Sequence, residues 1–239
     1  MANSFFHFKQ FTIHQDKCAM KVCTDACLFG AWVAGKSESK KSIKNILDIG
    51  AGTGLLSLML AQKNYAVIDA VELNADAALQ AKQNFDLSPW ASRLSVLNTN
   101  IIEYNPGKKY DLIISNPPFF EDDLKSDDLD RNAAMHSITL NLQVLLQQVK
   151  RLLAGDGLGC VLVPYHRTSY LEKIIEEQGF YVSDKMLVKQ SVDHGYFRTM
   201  ILFSGNPAKP TTEELCIHNG QRQYSAAFTH FLKDYYLKL

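Results

Sequence analysis

Ile46-Leu47-Asp48-Ile49-Gly50-Ala51-Gly52-Thr53-Gly54, running on into Leu55 to Lys63, is the stretch that decides the fold. A short apolar run that ends in closely spaced glycines and passes into helix formers is a strand, a tight turn and a helix start. The alternation continues through Val67 to Val71, Ala75 to Phe85, Leu94 to Leu97 and Asp111 to Ser115. β-rich runs that alternate with helical ones predict βαβ units and a parallel α/β sheet. Leu140 to Leu153 has helical periodicity and stops at Ala154-Gly155-Asp156-Gly157, and Gly159 to Val163 reads as a fifth strand. Ser169 to Gln178 is a helix closed by Gly179. Tyr181 to Lys189 and Arg198 to Phe203 supply a sixth and a seventh strand. The expectation is one mostly parallel, seven-stranded sheet with helices on both faces. Pro207 and Pro210 mark a boundary, so the chain divides into an N-terminal segment 1–44, a core 45–205 and a C-terminal appendage 206–239. The appendage holds a strand at Leu215 to Ile217 and a helix from Tyr224 to Leu237.

At 239 residues and 46% hydrophobic content the chain suffices for one substantial core. The longest apolar runs, such as Leu55 to Ala61, fall far short of the ~18 residues that span a bilayer. Met1-Ala2-Asn3-Ser4-Phe5 lacks the parts of a secretory signal. The expectation is a cytoplasmic protein without membrane contact. Five cysteines give neither the density nor the spacing of a disulfide scaffold. His14, Cys18, Cys23 and Cys27 match no zinc pattern and lack a close Cys-x-x-Cys pair, so no metal is expected.

Twenty-five Lys and Arg balance 25 Asp and Glu, which excludes a broad basic nucleic-acid footprint but not a local one. Lys9, Lys17, Lys21, Lys36, Lys40, Lys41 and Lys44 make the N-terminal part basic, whereas Glu121-Asp122-Asp123, Asp127-Asp128 and Asp130 make one loop acidic.

In open parallel sheets, ligands sit beyond the C-terminal strand ends, where a Gly-rich turn lets them approach the backbone. Gly50, Gly52 and Gly54 fall as Gly-x-Gly-x-Gly, and Leu55 occupies the place a dinucleotide fingerprint reserves for Gly or Ala. The Asp-x-Gly-x-Gly-x-Gly form instead resembles the cofactor turn of S-adenosylmethionine (SAM) methyltransferases. That likeness implies a Rossmann-like class I fold, with Asp48 facing the ammonium group of the cofactor's amino-acid tail. Glu72, eighteen residues beyond Gly54, ends the second strand of the pattern, where a carboxylate accepts from two ribose hydroxyls. Asn100 stands where such enzymes place an Asp toward the adenine amino group, and its amide oxygen can accept in the same way. Leu73 and Ile101 would sandwich the adenine ring.

The fourth strand of the pattern runs into Asn116-Pro117-Pro118-Phe119. An amine conjugated to an aromatic ring or a carbonyl is a poor nucleophile, because its lone pair is delocalised. Asn116 can accept one N–H through its side-chain oxygen, and the Pro117 carbonyl can accept the other. Both bonds favour a tetrahedral nitrogen and the positive charge that develops during attack on a sulfonium methyl group. This chemistry calls for acceptors rather than a nucleophile or a metal. Phe119 offers a face on which a flat substrate stacks. A Pro-Cys pair, which ring-carbon methylation would require, is absent from the sequence. The motifs leave adenine, guanine, cytosine and glutamine open as acceptors.

The ends of the chain narrow this. Phe6-His7-Phe8-Lys9-Gln10-Phe11-Thr12-Ile13, Asp16-Lys17-Cys18-Ala19-Met20-Lys21-Val22, Thr24-Asp25 and Leu28-Phe29-Gly30-Ala31-Trp32 resemble the N-terminus of the bacterial tRNA1(Val) (adenine-37-N6)-methyltransferase family. The resemblance continues through Asp48 to Gly52, Asp69-Ala70-Val71-Glu72-Leu73, Ser88-Pro89-Trp90-Ala91 and Asp111 to Phe120. It resumes at Gln223-Tyr224-Ser225 and Asp234-Tyr235-Tyr236-Leu237. Cys23 and Ala26 stand where Gly is expected, Asn100 where Asp is expected, and Phe119 where Tyr is usual.

The resemblance implies a valine-accepting tRNA as partner, SAM as cofactor and S-adenosylhomocysteine as its product, with no obligate protein partner. It also implies that Thr24 and its neighbours, Lys21 among them, cover the cofactor from the N-terminal side. Phe119 and Phe120 would meet the base, and Arg131 and His136 would touch phosphate or stack on a nucleotide. Two enzyme readings compete: a glutamine-N5 methyltransferase acting on a release factor, with the same Asn-Pro-Pro-aromatic chemistry, and a guanine-N2 RNA methyltransferase. A non-catalytic SAM- or RNA-binding module is a third class, which the intact Asn116 to Phe119 motif opposes.

Overall fold

The computed structural model describes residues 3–18, 20–38, 42–118 and 141–239. The chain begins with β1 (Phe5–His7), β2 (Thr12–His14) and α1 (Thr24–Glu38). The alternating region then forms β3 (Asn45–Ile49), α2 (Leu55–Lys63), β4 (Val67–Glu72), α3 (Ala75–Asp86), β5 (Leu94–Asn98) and β6 (Tyr110–Ser115). The second half adds α4 (Leu142–Leu152), β7 (Leu153–Pro164), α5 (Thr168–Glu177), β8 (Tyr181–Ser191), β9 (Tyr196–Ser204), β10 (Thr211–His218) and α6 (Ala226–Leu232).

Among the described residues the main sheet has eight strands, in the order β10-β8-β9-β7-β6-β3-β4-β5, and β1 pairs with β2 apart from it. The expected seven strands become eight because β10 lies parallel to β8, from Thr211 opposite Asp184 to His218 opposite Ser191. β10 pairs with an edge that would otherwise expose its peptide groups. Thr211 to Glu214 are exposed on it, so only Leu215 to Ile217 carried an apolar signal. A second difference lies at β7, which starts at Leu153 rather than after the glycines. Tyr110 pairs with Leu153 and Leu112 with Leu158, so the intervening residues bulge while the strand continues. The C-terminal helix is also shorter than the expected Tyr224 to Leu237, capped at Ser225 and ending at Leu232.

Strand β3 is central, parallel to β4 on one side and to β6 on the other. The chain runs from β3 outward through β4 to β5, then returns across β3 to enter β6. That reversal is a topological switch point, where an open α/β sheet leaves a crevice beyond its C-terminal strand ends.

Helices cover both faces. On one, α4 presents Leu142, Leu145, Leu146, Val149 and Leu152 at helical spacing, and α5 adds Leu171, Ile174 and Ile175. On the other face α1, α2, α3 and α6 share a core with Phe8, Phe11 and Ile13 from the N-terminal hairpin. α1 is buried from Asp25 through Ala34, being apolar nearly all round. A Cβ on its Gly30 would lie 2.7 Å from Met59 Sδ, so the missing side chain lets α1 lie close on α2. The chain ends meet: Lys9 N donates to Tyr235 O at 2.8 Å, and Phe8 bridges Tyr236.

Candidate active site

Gly50, Gly52 and Gly54 all have positive φ, at 76°, 54° and 80°, which side-chain-bearing residues adopt only at a cost. They are not equivalent. A Cβ on Gly50 or Gly52 would meet nothing within 4 Å, whereas one on Gly54 would lie 2.5 Å from Phe85 Cε1. The first two border open space and the third is a packing position against α3.

Register places the site residues around this turn. Ile49 pairs with Val71 on β4 and with Ser115 on β6. The next residue on each strand is Gly50 in the middle, Glu72 on one side and Asn116 on the other. With strands about 4.8 Å apart, Glu72 and Asn116 flank the turn at a backbone separation of about 10 Å. Gly50 N donates to Val71 O at 2.8 Å, and Ser115 Oγ donates to Ile49 O at 2.8 Å, which pins both sides of the turn.

Glu72 is a structural residue of the turn as well as a ligand candidate. Its Oε2 accepts from Gly52 N at 2.8 Å and its Oε1 from Asn74 N at 2.9 Å. Each oxygen keeps a second acceptor direction. Asn98 Nδ2 donates to the carbonyls of Glu72 and Leu73, both at 2.9 Å, and so holds the end of β4.

Asp48 is fully buried on the face toward α2. Its Oδ2 accepts from Ser57 Oγ at 2.7 Å and Ser57 N at 3.2 Å, while its Oδ1 has no partner. Burial pushes this carboxyl up to about 7, the Ser57 bonds pull it back, and the charge of Glu72 adds to the rise. Asn116 presents a second buried acceptor without a partner, its Oδ1, and Pro117 beside it is buried. Two buried oxygens wanting donors, on adjacent strands beside a glycine cradle open to a ligand, match a cofactor with an ammonium group and an acceptor substrate with N–H bonds. The residues present therefore fit SAM.

Asn100 is otherwise engaged than expected. Its Oδ1 accepts from Ile102 N at 3.0 Å and caps a turn whose Glu103 and Tyr104 N–H groups bond the Asn100 carbonyl. The amide oxygen keeps one acceptor direction for an adenine amino group. Ile101 is buried, while Leu73 is 51% exposed, so the two expected walls of an adenine slot differ in rigidity. Thr24 opens α1 and is half-buried. Lys21 Nζ donates to Gln15 O, and Val22 N donates to Gln15 Oε1 at 2.8 Å. The charges of Glu72 and Lys21 both act on the Cys18 thiol, which sets this segment beside the end of β4. Phe119, Phe120, Arg131 and His136 lie outside the described residues.

Several tethers were not legible from sequence. Buried Asn84 accepts from His14 N at 2.9 Å and donates to His14 O at 2.9 Å and Thr53 O at 2.8 Å, joining the N-terminal hairpin to the glycine turn. Gln80 Oε1 accepts from Lys17 N at 3.1 Å. Asp25, in the first turn of α1, pairs with Arg198 of β9 at 2.7 Å. These polar groups have partners far away in the chain, and no local pattern signals such pairs.

Burial pushes the thiols of Cys18, Cys23 and Cys27 up to about 11, 12 and 12, so all three stay protonated near neutral pH. Among the described residues no group of three or more His, Cys, Asp or Glu side chains could hold a metal ion, and no helix is long and apolar enough to cross a membrane.

Comparison with known proteins agrees with this fold. Residues 36–152 match the family model described as methyltransferase small domain. A protein of Agrobacterium tumefaciens described as a predicted O-methyltransferase shares the fold at a TM-score of 0.67 and 15% identity, over 88% of this chain and 96% of that one. A relative from Parabacteroides distasonis named tRNA1(Val) (adenine(37)-N6)-methyltransferase is 43% identical over 100% of both chains. One of the same name from Dyadobacter fermentans is 39% identical over 99% of this chain and 98% of its own. With the glycine turn set between Glu72 and the Asn-Pro-Pro strand end, and identity of this order along its whole length, the chain belongs to the tRNA1(Val) (adenine(37)-N6)-methyltransferase family.

Proposed function

We propose that this protein transfers the methyl group of SAM to the exocyclic N6 of adenine 37 in tRNA1(Val). The observation that carries the chemistry is the unpartnered, buried Oδ1 of Asn116 at the end of β6, beside the open glycine turn. The acceptor follows from the names of the full-length relatives. Bound SAM supplies a methyl group activated by a sulfonium centre and leaves as S-adenosylhomocysteine. Gly50 and Gly52 let it approach the backbone, Glu72 accepts from its ribose, Asp48 Oδ1 faces its ammonium group, and Asn100, Leu73 and Ile101 receive the adenine ring. Lys21, Thr24 and the rest of segment 1–44 cover the cofactor, and the Asn84 tether from that segment to the turn supports this role.

Asn116 Oδ1 accepts one N–H of the target amine and the Pro117 carbonyl the other. Both bonds grow stronger as the nitrogen becomes tetrahedral and positive, so they act mainly on the transition state. Phe119 and Phe120 stack on the base, with Arg131 and His136 on neighbouring phosphate or nucleotide. The substrate implies a cytoplasmic enzyme. The glutamine-N5 reading shares the Asn-Pro-Pro chemistry but has no support among the relatives reported above.

The test is incubation with SAM and tRNA from a strain lacking the gene, followed by mass spectrometry of the nucleosides. N6-methyladenine at position 37 of tRNA1(Val) is expected, and tRNA left without N6-methyladenine, with a purified release factor methylated in a parallel incubation, would overturn the reading. Asn116→Ala should lower single-turnover methylation about 100- to 1000-fold with SAM affinity nearly unchanged. A variant within about fivefold of wild type would refute the proposed role of Asn116.

A further inference from the structure

The C-terminal sheet edge does not end at Asn116. β7, the neighbour of β6, runs from Val161 opposite Ser115 to Pro164, which lies opposite Arg198 at the start of β9. A 3-10 turn, Tyr165–Arg167, follows Pro164 and leads into α5. Tyr165 is 41% and Tyr170 40% exposed, so both remain partly open to solvent on the same edge as the proposed reaction centre.

Rings and cations alternate here. The rings of Tyr165 and Tyr196 lie 5.0 Å apart, tilted by 41°. Lys189 Nζ sits 4.4 Å from the centre of the Tyr196 ring, and the Arg167 guanidinium lies 4.6 Å over Tyr170. Glu214 Oε2, 3.7 Å from Lys189 Nζ, offsets part of the charge. From Ser115, Pro164 is one strand spacing across and three residues along, about 11 Å, and Tyr165 follows it, while Tyr196 on β9 is two spacings across and five residues along, about 19 Å. Nothing in the chemistry proposed at Asn116 uses these rings.

Exposed aromatic faces interleaved with cations are how proteins hold unpaired nucleotides. Bases splayed from a loop stack on Tyr rings or on guanidinium planes, and each stack tolerates any base. A base drawn into the crevice at Asn116 leaves its neighbours along the strand unstacked at these distances. We propose that Tyr165, Tyr170 and Tyr196, with Arg167 and Lys189, form a stacking platform for the loop nucleotides that flank the target adenine. This rests on the reading of the protein as a tRNA methyltransferase. The platform is largely ring and only weakly cationic, which suits a chain of zero net charge.

The experiment uses the full-length enzyme and an unmodified tRNA1(Val) transcript. Tyr165→Ala and Tyr196→Ala should each raise the KM for tRNA about 5- to 100-fold, the range set by base stacking of roughly 1–3 kcal/mol at 1.4 kcal/mol per tenfold. SAM affinity should stay within about twofold, and Tyr165→Phe and Tyr196→Phe, which keep the ring, should stay within about threefold of the wild-type KM. Ultraviolet cross-linking of wild-type protein to the transcript should in addition attach nucleotides to peptides holding these tyrosines. If the wild type methylates the tRNA while the Ala variants keep its KM, or the Phe variants fail as badly as the Ala ones, the platform alone is overturned. Cross-links confined to other surfaces would do the same even if the Ala variants do not fold. A wild type that leaves the transcript unmethylated overturns the platform and the tRNA reading together.

Discussion

If Asp48 faces the ammonium group of SAM, as proposed, binding of the cofactor should depend on pH in a way that can be worked out from its surroundings. Its carboxyl is fully buried, titrates near 7 rather than 3.8, and leaves Oδ1 without a partner. An ammonium group facing that oxygen favours the charged form, so cofactor binding must lower this pKa and release a proton. With a value near 7, the free protein is about half ionised at pH 7 and about one-tenth ionised at pH 6. Affinity for SAM should therefore fall about fivefold from pH 7 to pH 6 and approach tenfold per unit below that, with ~0.9 proton released per site at pH 6. The cofactor's own α-amino group, with an ordinary value near 7.7–8.0, stays largely charged across this window and does not mask the effect.

Titration calorimetry at each pH, in two buffers of different ionisation enthalpy, measures both affinity and released protons. Asp48→Asn should bind more weakly at pH 7.5 by about 1–3 kcal/mol and lose most of the pH slope. The unliganded protein carries the mirror effect on stability. Because the folded value is raised, the Asp48 contribution is fully present below about 4 and is lost as pH rises through about 7. Asp48→Asn should consequently gain in melting temperature relative to wild type between pH 4 and pH 7.5. The reasoning fails if wild type releases no proton on binding at pH 6, or if the Asn variant shows the same slope.

Glu72→Ala should weaken SAM binding by roughly 1.5–3 kcal/mol, and Glu72→Gln should do no better, because an amide NH2 would face the N–H of Gly52 or Asn74; calorimetry showing a near-wild-type Gln variant would contradict this. Asn84→Ala strands backbone groups of both His14 and Thr53 and should cost roughly 2–4 kcal/mol in urea unfolding, a loss below about 0.5 kcal/mol being incompatible with the tether. Gly52→Ala and Gly54→Ala should separate by phenotype: the first loses SAM binding with only about 1–2 kcal/mol of instability, while the second, driven into Phe85, should lower the melting temperature more.

What the sequence revealed and what it hid follow from how far each signal reaches along the chain. β3 and β6 were legible because parallel strands covered on both faces are near-continuous apolar runs. The turn was legible because three positive φ values in a row of alternate residues require glycine. α1 was not read as a long helix, since a segment apolar on every side has no amphipathic period. β10 was read only in its last residues, because its first half faces solvent and is held by backbone pairing with β8. Among site residues, Asp48, Glu72 and Asn116 stand next to the turn or strand end that announces them. Asn84, Gln80 and the Asp25–Arg198 pair matter through contacts with distant segments, which a one-dimensional pattern does not contain.

The distribution of unsatisfied polar atoms carries the argument for a preformed site further than any motif does. Four buried side-chain atoms lack a partner among the described residues: Trp32 Nε1, Gln62 Oε1, Asp48 Oδ1 and Asn116 Oδ1. A buried acceptor left unpaired costs about 1–3 kcal/mol, so folding alone disfavours placing two of them together. Yet the last two occupy adjacent strands, at the positions just before and just after the paired residues Ile49 and Ser115. Their surroundings hold them in place: Ser57 fixes one carboxylate oxygen of Asp48, and the buried Pro117 and the Ser115 bond to Ile49 constrain the backbone around Asn116. Rigid acceptors that cannot turn away to find water are costly in the free protein and strongest toward donors that arrive with a ligand. In the proposed complex the cost would be recovered when an ammonium group meets Asp48 and an amine N–H meets Asn116, and for Asn116 the recovery would be greatest as that nitrogen turns positive, which is the condition for rate acceleration rather than for binding alone.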